Sequence, residues 1–286
     1  MMPRFERPAT VPQAASLLAS GPWAVLAGGT DLYPAHVGKP FARLLLDLTA
    51  IASLRGISRD ERGWRIGATT TWTDVIRADL PPLFDALKSA AREVGGVQIQ
   101  NAGTIAGNLC NASPAADGTP VLMALGASVL LASARGEREL PVEDFVLGPR
   151  RTARAGDELV VAIRVPERSS NARSAFIKLG GRRYLTISMT MVAATIDRDE
   201  GGRVVQAGIA VGSCSAVAKR LPALEAKLLG VMTGDDLAAL VEPADLAPLT
   251  PIDDLRASAD YRRDATLTLL RRALGNLNAS GVEAES

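Results

Sequence analysis

The segment Trp23-Ala24-Val25-Leu26-Ala27-Gly28-Gly29-Thr30-Asp31-Leu32 begins as a short apolar run and stops at a glycine pair. With a second Leu-rich run from Arg43 to Leu48 beyond it, the pattern predicts a strand, a glycine loop, a helix and another strand. A second glycine-bearing loop follows at Thr104-Ile105-Ala106-Gly107-Asn108. Glycine permits positive φ and leaves room beside the backbone, so the amides of such a loop can converge on an anionic group. Two loops of this kind can enclose a pyrophosphate. Neither loop matches G-x-G-x-x-G or G-x-x-x-x-G-K-[ST], so Rossmann and P-loop assignments lack support.

Upstream, apolar Val11, Ala14, Ala15, Leu17 and Leu18 predict a helix over Val11 to Ala19, ended by Gly21-Pro22. Downstream, Trp64 to Ala68 reads as a strand, and Thr73 to Ala78 with Leu83 to Val94 as a helical pair interrupted by Pro81-Pro82. Gly95 to Gly118 carries five glycines and three asparagines without apolar periodicity, and predicts a long irregular loop of functional use. Its polar residues Asn101, Asn108, Asn111, Ser113 and Asp117 can bond a ligand or their own backbone. Beyond it a short helix over Pro120 to Leu125, a strand over Ser128 to Ala132, a turn at Glu143-Asp144-Phe145 and a strand over Leu159 to Ile163 are expected. The charged, serine-bearing stretch Pro166 to Arg173 marks a domain boundary. Past it, Ser174 to Leu179, Met189 to Ile196 and Val204 to Val211 predict an antiparallel sheet, followed by helices over Leu221 to Leu229, Asp235 to Val241 and Tyr261 to Leu274. Strands first and helices later describe an α+β unit.

The chain has 286 residues, near two domains at about 150 residues each. Thirty-two basic against 31 acidic residues leave a net charge of +1 without a block of like charges, so no nucleic-acid partner is expected. The longest apolar stretch, Val121 to Ala134, is short of the roughly 20 residues that span a bilayer, and no membrane span is expected. The charged, proline-bearing start Met1-Met2-Pro3-Arg4-Phe5-Glu6-Arg7-Pro8 is unlike a signal peptide and points to the cytoplasm. Two cysteines, Cys110 and Cys214, and one histidine, His36, are too few for an iron-sulfur cluster or a His-rich metal site. No nucleophile elbow or paired-carboxylate motif stands out. The composition is that of a cofactor holder without catalytic side chains or metal of its own.

Val25-Leu26-Ala27-Gly28-Gly29-Thr30-Asp31-Leu32, then Gln100-Asn101-Ala102-Gly103-Thr104-Ile105-Ala106-Gly107-Asn108-Leu109 and Asn111-Ala112-Ser113-Pro114-Ala115-Ala116-Asp117, resemble the FAD-binding medium subunit of the xanthine dehydrogenase and carbon monoxide dehydrogenase family of molybdenum hydroxylases. The likeness continues in Phe176-Ile177-Lys178-Leu179-Gly180-Gly181-Arg182-Arg183, in Asp253-Asp254-Leu255-Arg256 and in Tyr261-Arg262-Arg263. It implies a vanillyl-alcohol-oxidase-type FAD-binding domain over residues 1–168, built of two α+β subdomains at about 1–57 and 58–168. A C-terminal domain of the carbon monoxide dehydrogenase flavoprotein type would occupy 169–286.

The resemblance further implies that FAD lies between the loop holding Leu26, Ala27, Gly28, Gly29, Thr30, Asp31 and Leu32 and the one holding Thr104, Ile105, Ala106, Gly107, Asn108 and Asn111. Asp117 would bond the nucleotide part, Val160 would pack by the adenine, Lys178 would reach back to the cofactor, and Tyr184 would stand by the isoalloxazine ring or be a half-buried sheet residue. The implied work is electron transfer. A molybdenum-cofactor large subunit would oxidise the substrate, an iron-sulfur small subunit would deliver the electrons, and an external acceptor would take them. Tyr184-Leu185-Thr186-Ile187-Ser188 lacks the charged residues of NAD-using relatives, which leaves NAD, a quinone, a cytochrome and oxygen all open as acceptors. The competing readings are a stand-alone flavoprotein oxidase or reductase with its own substrate, and a flavin-free scaffold.

Overall fold

Thr10 starts the first helix by accepting a hydrogen bond from the Gln13 amide, with Pro12 at a helical position that needs no donor. A computed structural model describes residues 5–38 and 44–279. In it β1 (Phe5–Glu6), α1 (Val11–Ala19), β2 (Trp23–Leu26) and β3 (Leu44–Asp47) form a parallel three-stranded layer in the order β1-β3-β2. The helix turns Ala14, Ala15 and Leu18 inward. Ala14 and Leu18 join Trp23, Leu46, Leu48, Ile51 and Leu54 in a small core that also takes in Ala132, Leu159 and Val161 of the next sheet.

Next come β4 (Ile57–Asp60), β5 (Gly63–Gly67), α2 (Trp72–Arg77), α3 (Asp85–Glu93), α4 (Val97–Ala102), α5 (Ile105–Asn111) and α6 (Gly118–Ala124). After these follow β6 (Ser128–Ser133), β7 (Gly136–Pro141), α7 (Val142–Phe145), the small hairpin β8 (Val146–Gly148) and β9 (Arg151–Thr152), and β10 (Leu159–Val165). The five longer strands make an antiparallel sheet in the order β4-β5-β10-β6-β7. Its central strand β10 is buried along its whole length. α2 opens with a capping box between Thr71 and Asp74.

The remainder is β11 (Arg173–Gly180), β12 (Ser188–Arg198), β13 (Val204–Gly212), β14 (Lys219–Arg220), α8 (Pro222–Leu228) and α9 (Ala259–Ala279). The four strands pair antiparallel in sequence order, with α9 packed on β11 and β12. On the other side α6 lies against β12 and β13 with every residue buried, and Ala193 and Ala210 of that sheet face join Val121, Leu122, Met123 and Ala124 in one core.

Several expectations need correction. The stretch 95–118 is not irregular, because it contains α4 and α5; Ile105, Ala106 and Leu109 bury one side of α5 under a composition dominated by Gly and Asn. β4 and β7 were not expected at all. They are the two edges of their sheet and carry charges there, Arg59 and Asp60 on one and Glu137, Arg138 and Glu139 on the other, which hides the apolar alternation that betrays a strand. Glu143 to Phe145 is part of the single helical turn α7, and over 235–241 only a 3-10 turn, Leu237–Leu240, forms. In place of the helix expected after the first glycine loop, only a 3-10 turn, Pro34–His36, forms.

Among the supports of the small hairpin is a buried carboxylate. Glu158 accepts from Arg138 Nε and Nη2 at 2.6 and 2.8 Å and from the Ala155 amide at 2.7 Å. The Arg138 fork is the main influence that holds its pKa down to about 2, against an ordinary 4.5. A carboxyl depressed in the folded state stabilises above its unfolded pKa and loses that contribution as pH falls through the folded one. Glu158→Gln should therefore lower the melting temperature at neutral pH by a few degrees and flatten its fall between about pH 5 and pH 2. A pH series of thermal melts in which the variant's acid limb matched the parent's would contradict this role.

Candidate functional site

A cleft of about 690 Å³ opens where the end of β2 faces the start of α5. One lip is the loop of residues 27–32, the other is Gly103, Thr104, Ala106, Gly107, Asn108 and Asn111. Trp23, Leu48, Leu159 and Val160 give an apolar wall. The lips touch through their backbones. A Cβ added to Gly28 would lie 2.0 Å from the Ala102 carbonyl oxygen and 2.9 Å from Gly103 Cα. Gly28 therefore admits the chain's own backbone, and Gly29 at φ +69° turns the loop away behind it.

The second lip is pinned from beneath. Thr71 and Thr104 form an isolated β-bridge, the Ile105 amide donates to the Thr70 carbonyl at 3.0 Å, and the Trp72 amide donates to the Gly103 carbonyl at 3.1 Å. Thr104 caps α5, its hydroxyl accepting from the Gly107 amide at 3.1 Å. Among the described residues, the amides of residues 27–32 and of Ala106 have no hydrogen-bond partner, and neither does the buried Asn108 Oδ1. A cleft lined by unpartnered backbone donors on both lips, with one buried acceptor, suits an elongated ligand that carries anionic oxygens and at least one donor.

The expected site residues divide into two groups. Leu26, Ala27, Gly28, Gly29, Thr30, Asp31, Leu32, Thr104, Ala106, Gly107, Asn108, Asn111 and Val160 all line the cleft. Ile105 does not: its side chain is fully buried in the main core and its amide is bonded to Thr70. Asp117, Lys178 and Tyr184 lie elsewhere. Lys178 Nζ donates to Asp117 Oδ2 at 2.8 Å, and Ser188 Oγ donates to Asp117 Oδ1 at 2.9 Å. Asp117 thus ties the N-terminal end of α6 to β11 and β12. Lys178 also borders a second cavity of about 470 Å³ with Glu93, Arg182, Arg183 and Thr186. Tyr184 is exposed, with the Arg183 guanidinium 5.4 Å from its ring centre and Arg183 Nε donating to its hydroxyl at 2.9 Å.

Three charged lining residues were not foreseen: Arg150, Arg154 and Glu158. The run Arg150-Arg151-Thr152-Ala153-Arg154 after Pro149 was the available signal, a cluster of cations bounded by a proline turn. His36 bonds the Leu32 carbonyl at 2.8 Å through Nδ1 and is not part of the cleft lining. Among the described residues no group of three or more His, Cys, Asp or Glu side chains is placed to hold a metal, and no helix is long and apolar enough to cross a membrane.

Comparison with known proteins gives consistent matches along the chain. Residues 2–168 match the family described as the FAD binding domain in molybdopterin dehydrogenase, and residues 175–277 the carbon monoxide dehydrogenase flavoprotein C-terminal domain. The chain is 30% identical over 281 residues to the xanthine dehydrogenase FAD-binding subunit of Escherichia coli O157:H7, covering 96% of each. It is 31% identical over 282 residues to the carbon monoxide dehydrogenase medium chain of Hydrogenophaga pseudoflava, covering 95% of this chain and 96% of that one. In structure it resembles a chain of reconstituted carbon monoxide dehydrogenase from Oligotropha carboxidovorans with a TM-score of 0.86 at 28% identity, over 98% of this chain and 99% of the other.

Proposed function

The chain belongs to the family of FAD-binding subunits of molybdopterin dehydrogenases, and from that premise we propose that it receives electrons from iron-sulfur clusters of a small partner subunit and passes them to an external acceptor. The clusters would be reduced in turn at the molybdenum cofactor of a large partner subunit. FAD is its cofactor, held by a domain of the vanillyl-alcohol-oxidase type. When bound, the flavin supplies a carrier that accepts electrons singly and releases them as a pair, which no side chain can do.

The observation that carries the reading is the row of unpartnered amides at residues 27–32 opposite the free Ala106 amide in one cleft. A diphosphate accepts hydrogen bonds and carries negative charge, so it fits donors that the protein itself leaves unused. We assign Asn108 Oδ1 to a donor on the cofactor, and Val160 with Trp23 and Leu159 to the face of a ring excluded from water. Asp117 and Lys178 act in this reading through each other. Their buried pair fixes α6 against β11, which sets how the second cavity meets the flavin domain. Exposed Tyr184, beside that cavity's Arg183, is assigned to the acceptor's approach.

The test begins with the purified chain. It should show oxidised-flavin absorbance near about 450 nm, and a tagged chain expressed with its neighbours should retain molybdenum- and iron-containing subunits. A colourless protein that takes up no added FAD would overturn the cofactor assignment. A flavin-loaded chain that turns over a small substrate alone, without partners, would overturn the electron-transfer assignment in favour of a stand-alone oxidase or reductase.

A further inference from the structure

Four charged side chains line the cleft: Asp31, Arg150, Arg154 and Glu158. They are unequally engaged. Glu158 is neutralised by Arg138. Arg154 donates from Nη1 to the Glu158 carbonyl at 2.7 Å and the Ala155 carbonyl at 3.2 Å, and among the described residues it has no carboxylate partner. It is a half-buried cation on the cleft wall with only dipoles beside it. Arg150 is held differently. Its guanidinium donates to Asn111 Oδ1 on one lip and stands 3.9 Å from Asp31 Oδ1 on the other, so it spans the cleft between the two loops.

The backbone beneath Arg150 is unusual in a way that supports this. Arg150 adopts φ +59°, and its amide donates at 2.9 Å to the carbonyl of Ala112, itself at φ +45°. Non-glycine residues persist in the left-handed region only where surrounding structure holds them there. Two of them bonded together at the end of α5 fix the point from which the Arg150 side chain crosses the cleft.

We propose that Arg150 and Arg154 are the charge-recognition residues for the diphosphate of the bound dinucleotide, with Arg150 acting as a strap that exchanges Asn111 and Asp31 for phosphate oxygen. The proposal rests on the FAD reading above and adds to it a source of charge that the glycine loops lack. Amides supply direction but only partial charge, whereas guanidinium groups supply full charge in a fork that matches phosphate oxygens. With Asp31 balanced by Arg150 and Glu158 by Arg138, Arg154 leaves one surplus positive charge in the cleft. A dianionic ligand that draws Arg150 from Asp31 would meet both guanidinium groups, with the exposed Asp31 carboxylate left to water.

The experiment is FAD titration of the flavin-stripped full-length chain, followed by flavin fluorescence at low and high salt, with melting temperatures recorded in parallel. Arg150→Gln and Arg154→Gln should each raise the Kd for FAD about ten- to a hundredfold at low salt and flatten its salt dependence. Arg150→Lys and Arg154→Lys should restore the salt dependence while recovering only part of the affinity. Parental affinity and parental salt dependence in both Gln variants would overturn the strap and leave the FAD reading standing. So would a loss of affinity with the salt dependence unchanged, since that marks a shape defect. A parent chain that binds no FAD at either salt would overturn both.

Discussion

Gly28→Val is expected to lose its flavin and about 3 kcal/mol or more of stability together, whereas Gly107→Val loses the flavin with a much smaller change in stability. The difference follows from what each new Cβ would meet. At Gly28 it would overlap the Ala102 carbonyl oxygen at 2.0 Å and its carbon at 2.7 Å, which are backbone atoms of α4 and cannot rotate away. The first lip must then separate from the second, and overpacking against backbone costs at the upper end of about 1–3 kcal/mol or beyond. At Gly107 the nearest atom is the Thr104 hydroxyl, 2.7 Å away, so the price is a disturbed helix cap of about 0.5–2 kcal/mol. The valine methyl groups would still enter the cleft, because Gly107 lines it. Flavin-to-protein ratios and melting temperatures of both variants separate the effects. A Gly28→Val protein with parental flavin content and melting temperature would mean that the two lips do not meet as described.

That contrast marks the limit of what was legible in the sequence. A glycine pair after an apolar run correctly predicts a loop at the end of a strand, and Gly28 and Gly29 do line the cleft. The reason for Gly28 is a partner segment more than seventy residues further along, and no local pattern announces it. Helix α1 was legible because its signals are local: apolar spacing and a Gly-Pro stop. The strands β12 and β13 were legible because both are buried and apolar along most of their length. By contrast, α4 and α5 are each under two full turns or barely two, too short for periodicity to register against Gly and Asn. The cation run from Arg150 to Arg154 acquired its place only when chain folding brought Arg150 beside Asp31 and Asn111 and Arg154 to the wall of the same cleft. The resemblance placed Asp117 and Lys178 at the cofactor, and their mutual pairing across 61 residues emerged only from the packing of α6 on the sheet to which β11 belongs.

That pairing leads to the second large effect, where the start of α6 meets β11. The side chains of Lys178 and Asp117 are only 6% and 8% exposed, so each carries a charge that water does little to stabilise. Burial pushes the Asp117 carboxyl above its ordinary range, and the Lys178 ammonium at 2.8 Å is the largest influence pulling it back. Lys178→Met removes that influence and leaves the carboxylate with only the Ser188 hydroxyl, at an expected cost of about 3–5 kcal/mol at neutral pH. The penalty has a definite pH dependence. A carboxyl whose folded pKa is raised stabilises at low pH and loses that contribution as pH rises through the folded value. The variant should therefore recover stability towards mildly acid pH, where Asp117 takes up a proton. Adding Asp117→Asn to Lys178→Met removes the stranded charge, and the double variant should be more stable than Lys178→Met alone by about 1–3 kcal/mol at neutral pH. Urea unfolding of the parent, both single variants and the double variant measures the coupling. A double variant as unstable as the sum of the singles would show that the two side chains do not hold α6 and β11 together, and the proposed link from this pair to the setting of the flavin domain would fall with it.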